Sequence, residues 1–268
     1  MCQYCSQYSQ VSDYWYLDPR NHAVDTYYES GVEGLVEKVS DMAWSHSVYE
    51  RSVAMKERAP VITQTVPLED SLKVIDLAED AAMEGHPWFE IHDCPCVIAT
   101  TGERFFKCMR FGVSAELRAQ QTGGELVSAQ TFRDKLIEFD DLGLVHNLNA
   151  WGLGERRYVM HICNCELPTC MPLRSRLDWG SPPYGKAEYV AMVNMETCNG
   201  CERCASRCHF GAIQISRMKK EASIDPRKCF GCGLCRVPCR PKAITLISRI
   251  SVPIARDRDR WSQTRRRL

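Results

Sequence analysis

The chain has 268 residues, 16 of them cysteine, with 34 Lys and Arg balanced against 34 Asp and Glu. That length supports one to three domains with a real core, and no apolar run approaches the roughly 20 residues of a membrane-spanning helix. No charged n-region and apolar h-region of a secretory signal opens it, so a cytoplasmic protein is expected, in which thiols stay reduced and cysteine runs read as metal ligands before disulfides.

Residues 1–60 are polar and aromatic, with Tyr4, Tyr8, Tyr14, Trp15, Tyr16, Tyr27 and Tyr28, and "GVEGLVEKVSDMAWSHSVYERSVAMKE" has helical apolar spacing. Pro60 and Pro67 bracket a break. "PLEDSLKVIDLAEDAAME" predicts a helix from its opening proline, its early acids and its apolar Leu72, Ile75 and Leu77. "VSAQTFRDKLIEFDDLGLVHNL" predicts another: Ser128 as the cap, Phe132, Leu136, Ile137 and Phe139 as the stripe, Gly143 as the stop. "LVHNL", the turn-like "NAWGLGERR" and "YVMHIC" then give strand, turn, strand. Helix, strand, turn and strand outline a winged-helix-like module, so residues 61–170 are expected to form a small cysteine-containing α+β domain.

Charge bears on what that module could bind. Residues 1–65 carry 5 Lys/Arg against 9 Asp/Glu, residues 66–160 carry 9 against 16, and residues 161–268 carry 20 against 9. An acidic module is the wrong sign for phosphate backbones, which argues against nucleic acid as its partner. Residues 171–186, "MPLRSRLDWGSPPYGK", read as a linker. Residues 251–268 form a basic tail, either solvated or a docking arm for a partner.

Between linker and tail lies a duplication. Cys198, Cys201, Cys204 and Cys208 follow the spacing Cys-x2-Cys-x2-Cys-x3-Cys, and Cys229, Cys232, Cys235 and Cys239 repeat it. Each ligand recurs at an offset of 31, as do Gly200/Gly231 and Ala212-Ile213/Ala243-Ile244. Three close cysteines wrap one corner of a cubane, and in two-cluster proteins the distant fourth cysteine serves the other cluster. The expected sets are therefore Cys198, Cys201, Cys204 and Cys239 for one [4Fe–4S] cluster, and Cys229, Cys232, Cys235 and Cys208 for the second. Residues 187–250 resemble the bacterial-type two-cluster ferredoxin domain, with "HFGAIQIS" and "RPKAITLI" as its strand segments. That resemblance implies a pseudo-twofold domain of βαβ repeats, making the chain α+β overall. His209 and Arg240 stand where that family usually has proline. Arg203, Arg207, Arg227, Lys228, Arg236 and Arg240 flank the ligands; they would raise a cluster's potential and either pair with the acidic front or dock an acidic partner.

Eight cysteines remain: Cys2, Cys5, Cys94, Cys96, Cys108, Cys163, Cys165 and Cys170. "HDCPC" and "HICNC" each give Cys-x-Cys, and in an extended segment residues i and i+2 share a side. Cys94, Cys96, Cys108, Cys163, Cys165 and Cys170 are thus candidate ligands of a third centre, iron–sulfur or zinc, against the alternative of small buried hydrophobes. Cys2 and Cys5 are candidates for the same centre, a second one or none. His92 and His161, two residues before a cysteine, read as structural histidines or as donors to such a site.

The whole chain also resembles a group of poorly characterised, cysteine-rich dicluster ferredoxin-like proteins of anaerobic bacteria and archaea. The matching residues are Cys94-Pro95-Cys96, Gly143-Leu144-Val145-His146 and Ile162-Cys163-Asn164-Cys165. The resemblance implies electron transfer, by a carrier or by a subunit of a larger anaerobic oxidoreductase, with a redox protein as partner. A redox-sensing iron–sulfur or zinc regulator using the winged-helix-like segment is the alternative, and an enzyme whose extra cysteine centre binds substrate is a third. No dinucleotide fingerprint, phosphate loop or catalytic triad is present, so no catalytic residue is assigned and no catalysis by the chain alone is expected.

Overall fold

A computed structural model describes residues 61–82, 88–112, 123–154, 157–170 and 184–255, with Ala115, Ala119, Leu173, Arg174, Arg176 and Leu177 between them. The helical segment expected in 1–60, with Cys2 and Cys5, lies outside the described residues, as do residues 256–268 of the tail.

The front of the chain is one mixed layer. Its strands are β1 (Val61–Thr65), β2 (Phe89–Asp93), β3 (Phe106–Phe111), β4 (Glu125–Val127), β5 (Val145–Gly154), β6 (Arg157–Cys165) and β7 (Tyr184–Gly185). They form a seven-stranded sheet in the order β4-β2-β3-β6-β5-β1-β7. All neighbours are antiparallel except β1 and β7. Helices α1 (Leu68–Asp80), α2 (Pro95–Thr101) and α3 (Ala129–Leu142) lie between strands.

Helix α3 begins and ends for the reasons its sequence carries. Ser128 has extended backbone and its hydroxyl accepts a hydrogen bond from the Thr131 amide, satisfying one of the unpaired N–H groups of the first turn. Gly143 at the end has φ 88°, a left-handed conformation that favours glycine. Phe132, Leu136 and Phe139 are 0%, 0% and 1% exposed, whereas Ile137 stays 43% exposed, so the buried stripe is narrower than expected. On α1 the buried face is Ser71, Val74, Ile75 and Ala78, while Leu72 and Leu77 are half-buried. Of the expected stripe Ile75 alone is central, because small residues on either side let the helix sit close to the sheet.

Both helices cover one sheet face. Phe89, Ile91, Met109, Phe111, Leu148 and Ile162 meet Val74, Ile75, Phe132, Leu136 and Phe139 there in a single apolar core. Complete burial of each large side chain stabilises the fold by about 1.5–3 kcal/mol. Strand alternation sends the intervening residues to the other face. There Glu90, His92, Cys108, Arg110, Asn147, Asn149, His161 and Cys165 are all buried.

The expected helix–strand–turn–strand outline is present as α3, β5 and β6. The strand, however, runs through "NAWGLG", which had read as turn. The hairpin also lies inside the sheet, with β3 beyond β6 and β1 beyond β5. Within the stretch read as linker, Leu173 is fully buried and Tyr184–Gly185 joins the sheet edge.

The remainder is built on a twofold plan. Strands β8 (Tyr189–Val193), β9 (Ile213–Ser216), β10 (Glu221–Ile224) and β11 (Ile244–Ser248) form two ribbons, β8 with β11 and β9 with β10. A short helix α4 (Arg203–Ser206) and a 3-10 turn (Leu234–Arg236) carry the third cysteine of each run. The exchange extends to single hydrogen bonds: Asn194 N donates to Ala243 O at 2.7 Å, and its counterpart Asp225 N donates to Ala212 O at 2.8 Å. Gly200 and Gly231 have positive φ, and a side chain on either would collide with backbone of Lys220 or Tyr189, again equivalent positions. Each cysteine loop is thus pressed against the strand of the other repeat.

The acidic front and basic back meet. Arg236 Nη2 lies 2.6 and 2.8 Å from the two carboxylate oxygens of Glu69. Gln64 donates to Glu188 at 2.8 Å. No helix among the described residues is long and apolar enough to cross a membrane.

Candidate metal centres

Among the C-terminal cysteines, Cys198, Cys201, Cys204 and Cys239 line one pocket together with Gly200 and Pro241. Burial, and then the neighbouring Cys201, Cys198 and Cys239, push the Cys204 thiol above its ordinary value. Cys201 is exposed, so this outer set reaches the surface.

Cys208, Cys229, Cys232 and Cys235 gather separately. Burial pushes the Cys235 thiol up to about 12, and Cys229 and Cys208 add to the effect. Burial followed by Cys235, Cys229 and Cys208 drives Cys232 upward in the same way. Cys239 thus lines a pocket with Cys198, Cys201 and Cys204, and Cys208 lies near Cys229, Cys232 and Cys235.

Backbone amides address these sulfurs. Ala212 N donates to Cys208 Sγ at 3.4 Å, Ala243 N to Cys239 Sγ at 3.3 Å and Ala191 N to Cys229 Sγ at 3.4 Å. Hydrogen bonds to the sulfurs are among the features by which a protein tunes an iron–sulfur centre. Thiols raised by burial and mutual repulsion cannot all ionise at neutral pH unless a cation joins them. The donor set, all sulfur with amide support, suits an iron–sulfur cluster. Among the described residues no group of three or more His, Cys, Asp or Glu is arranged so that it could hold a metal ion.

The front cysteines come from four places. Cys94 precedes α2 and Cys96 sits in its first turn. Cys108 lies on β3 directly opposite Cys163 of β6. Cys165 ends β6, and Cys170 follows the turn after it. Their sulfurs form a closed ring of contacts: Cys94 to Cys108, Cys108 to Cys163, Cys163 to Cys165, Cys165 to Cys170, Cys170 to Cys96, and Cys96 back to Cys94. Hydrogen bonds from Cys108 and its neighbours hold Cys94 and Cys163 well below the usual thiol range. Cys108, Cys165 and Cys170 are pushed well above it by the hydrogen bonds they donate and by burial. All six candidate ligands are thus brought together.

One half of the geometric expectation needs correction. Cys163 and Cys165 do share a side of an extended strand. Cys94-Pro95-Cys96 is not extended, because Pro95 occupies the first position of α2, where its fixed φ suits a helix. The two sulfurs converge through the helical turn instead.

Several residues around the ring carried no signal of their own. Lys107 is 1% exposed, and its Nζ lies 2.6 Å from Glu166 Oε1. Burial alone would lower its pKa, but the Glu166 hydrogen bond and the nearby Cys94 and Cys165 raise it, so it is a buried cation beside the ring. A lysine inside the apolar strand "FKCMRF" next to a cysteine was the available clue. Asn149 Nδ2 donates to Cys163 Sγ at 3.4 Å. Asn164, between Cys163 and Cys165, donates to Lys107 O at 2.7 Å and faces His146 Nδ1 at 2.6 Å. This ties the Gly-Leu-Val-His element to the Ile-Cys-Asn-Cys element. His92 is bonded through Nδ1 to Glu90 at 2.9 Å and lies opposite Cys108, while His161 is buried opposite Arg110.

Arg207 and His209 have a role that the ferredoxin pattern did not suggest. His209 Nε2 lies 2.8 Å from the carbonyl oxygen of Gly143. A side chain on Gly143 would fall 2.5 Å from Arg207 Nη1. His209 therefore docks the back of the chain onto the end of α3. Comparison of the chain with family models, with curated proteins and with solved structures finds no match.

Proposed function

We propose that this is an iron–sulfur electron-transfer protein, a ferredoxin-like carrier or the electron-transfer subunit of a larger oxidoreductase. Two [4Fe–4S] clusters are held by Cys198, Cys201, Cys204 and Cys239 and by Cys208, Cys229, Cys232 and Cys235. The observation that carries this reading is the exchanged grouping of the eight cysteines, supported by the paired hydrogen bonds of the two repeats. When bound, the clusters would supply one-electron storage at low potential. The chain's part is to exclude water with Val190, Ala191, Ala212 and Ile244, and to direct amides at the sulfurs. The front ring is the candidate for a third centre, iron–sulfur in this reading and zinc as the alternative, since thiolate donors suit either.

The working partner is a redox protein with an acidic face. Arg203, Arg240 and Lys242 are exposed beside the outer ligands and are available for such a contact, while Arg236 is engaged with Glu69. The embedded position of β5 and β6 in the sheet leaves no free hairpin for the regulator reading.

The test is purification without oxygen followed by iron, sulfide and zinc counting. About twelve irons with equal sulfide supports three clusters, and about eight supports two. Cys239→Ser should damage the cluster of Cys198, Cys201 and Cys204. Damage confined to the cluster of Cys229, Cys232 and Cys235 would overturn the exchanged assignment.

A further inference from the structure

The three sulfur groups are not equally placed. Cys165, Cys170 and Leu173 of the front pack in one apolar cluster with Phe210, Phe230 and Leu234 of the back. Cys208 and Cys232, both of the inner set, pack against that same cluster, as does Cys163. The rings of Phe210 and Phe230 are stacked, with centroids 4.0 Å apart and planes 9° from parallel. His209, the neighbour of Cys208, is bonded to Gly143, two residues before Val145, and Val145 pairs with Cys165 across β5 and β6. The outer set shares none of this. Its pocket is lined by residues 193–244 alone, and Cys201 opens to the surface.

We infer that the front cysteine centre is wired to the rest of the chain through the inner set, across the Phe210–Phe230 joint, with the outer set as the port to the external partner. This deepens the reading above and rests on it. A low-potential one-electron donor, an iron–sulfur or flavin protein, meets the outer set at the exposed Cys201. With clusters bound, the cysteines of the outer set would hold the group that takes up the electron, and those of the inner set and then the front ring would hold the groups that receive it, each transfer oxidising one centre and reducing the next with no bond made or broken. The joint is shielded from water: Phe210 and Phe230 are 9% and 5% exposed, and Leu234 is 1% exposed. Exclusion of water lowers the solvent reorganisation that would accompany a transfer.

The experiment uses the full chain, reduced stepwise with dithionite under anaerobic conditions and read by low-temperature electron paramagnetic resonance. The spin relaxation of the front signal is followed by microwave power saturation. In the unaltered chain it should be accelerated by the reduced inner set. The acceleration should fall several-fold in Cys232→Ala. Freeze-quench of the unaltered chain mixed with a reduced carrier protein gives a second readout that needs no variant: signals should appear in the order outer, inner, front. A front signal that precedes the inner one, or relaxes equally fast in Cys232→Ala, overturns the path while leaving three centres in place. A chain with about eight irons and no third signal overturns the front centre itself, and the path with it.

Discussion

The cysteines of the back and those of the front solve the same problem differently. In the back, three of four ligands come from one short loop, and only the fourth is imported, by exchange between two copies of one motif. In the front, six cysteines come from α2, β3, β6 and the turn after β6, and the sheet register brings them together. The loops of the back carry their ligand geometry locally and have a small core of their own, whose members include the cysteines Cys204, Cys229 and Cys235. The front ring borrows its geometry from a domain with a large core that contains no cysteine. A ligand site written into local spacing depends on metal to finish folding. A site mounted on a packed sheet is prepared in advance.

The sharpest way to break that contrast is to remove metal. Chelation under anaerobic conditions should abolish hydrogen-exchange protection in β8 through β11, while α3, β5 and β6 stay protected. Simultaneous loss of protection in both regions would show that the front ring also needs metal to fold. Next in size, Phe132→Ala empties a fully buried site and should cost about 3–5 kcal/mol in denaturant unfolding. It should leave iron per folded chain unchanged, and a parallel loss of iron from the back would mean that the two regions fold as one unit.

Lys107→Met tests whether the ring needs its buried cation. Glu166 keeps about a third of its surface, so the lost pair should cost about 1–3 kcal/mol. The front centre should become harder to reduce, while the two back clusters keep their potentials in a redox titration. An equal shift at all three centres would remove Lys107 from any particular role at the ring. Ser128→Ala removes only the cap of α3 and should cost about 1 kcal/mol. Metal content and spectra should not change, and a change would place the helix end, and with it the Gly143–His209 contact, in the path between the regions.

How much of this could be read from residues depends on the range of the interaction. Ser128, the apolar stripe at Phe132, Leu136 and Phe139, and Gly143 define α3 because capping and helical periodicity act within a few residues. The paired strands of the back were legible because a duplication states its own symmetry. The α+β character followed from the alternation of such segments. The through-running β5 was missed because "NAWGLG" is turn-like in isolation, and only pairing with β1 and β6 on both sides keeps it extended. The helical start at Pro95 was missed because Cys-Pro-Cys suits a turn as well as a strand.

By itself the sequence determined which cysteines belong to the doubled motif, where α3 starts and stops, and that sixteen thiols in runs point to metal. Tertiary structure alone decided that Cys108 faces Cys163, that Lys107 is buried beside the ring, and that His209 reaches Gly143. It alone set Cys208 and Cys232, and none of Cys198, Cys201, Cys204 and Cys239, against the front. The physical reason is that spacing along a chain specifies contacts over a turn or a loop. Contacts between residues a hundred positions apart are selected by sheet register and by which apolar surfaces close on each other, and those depend on the whole packed core.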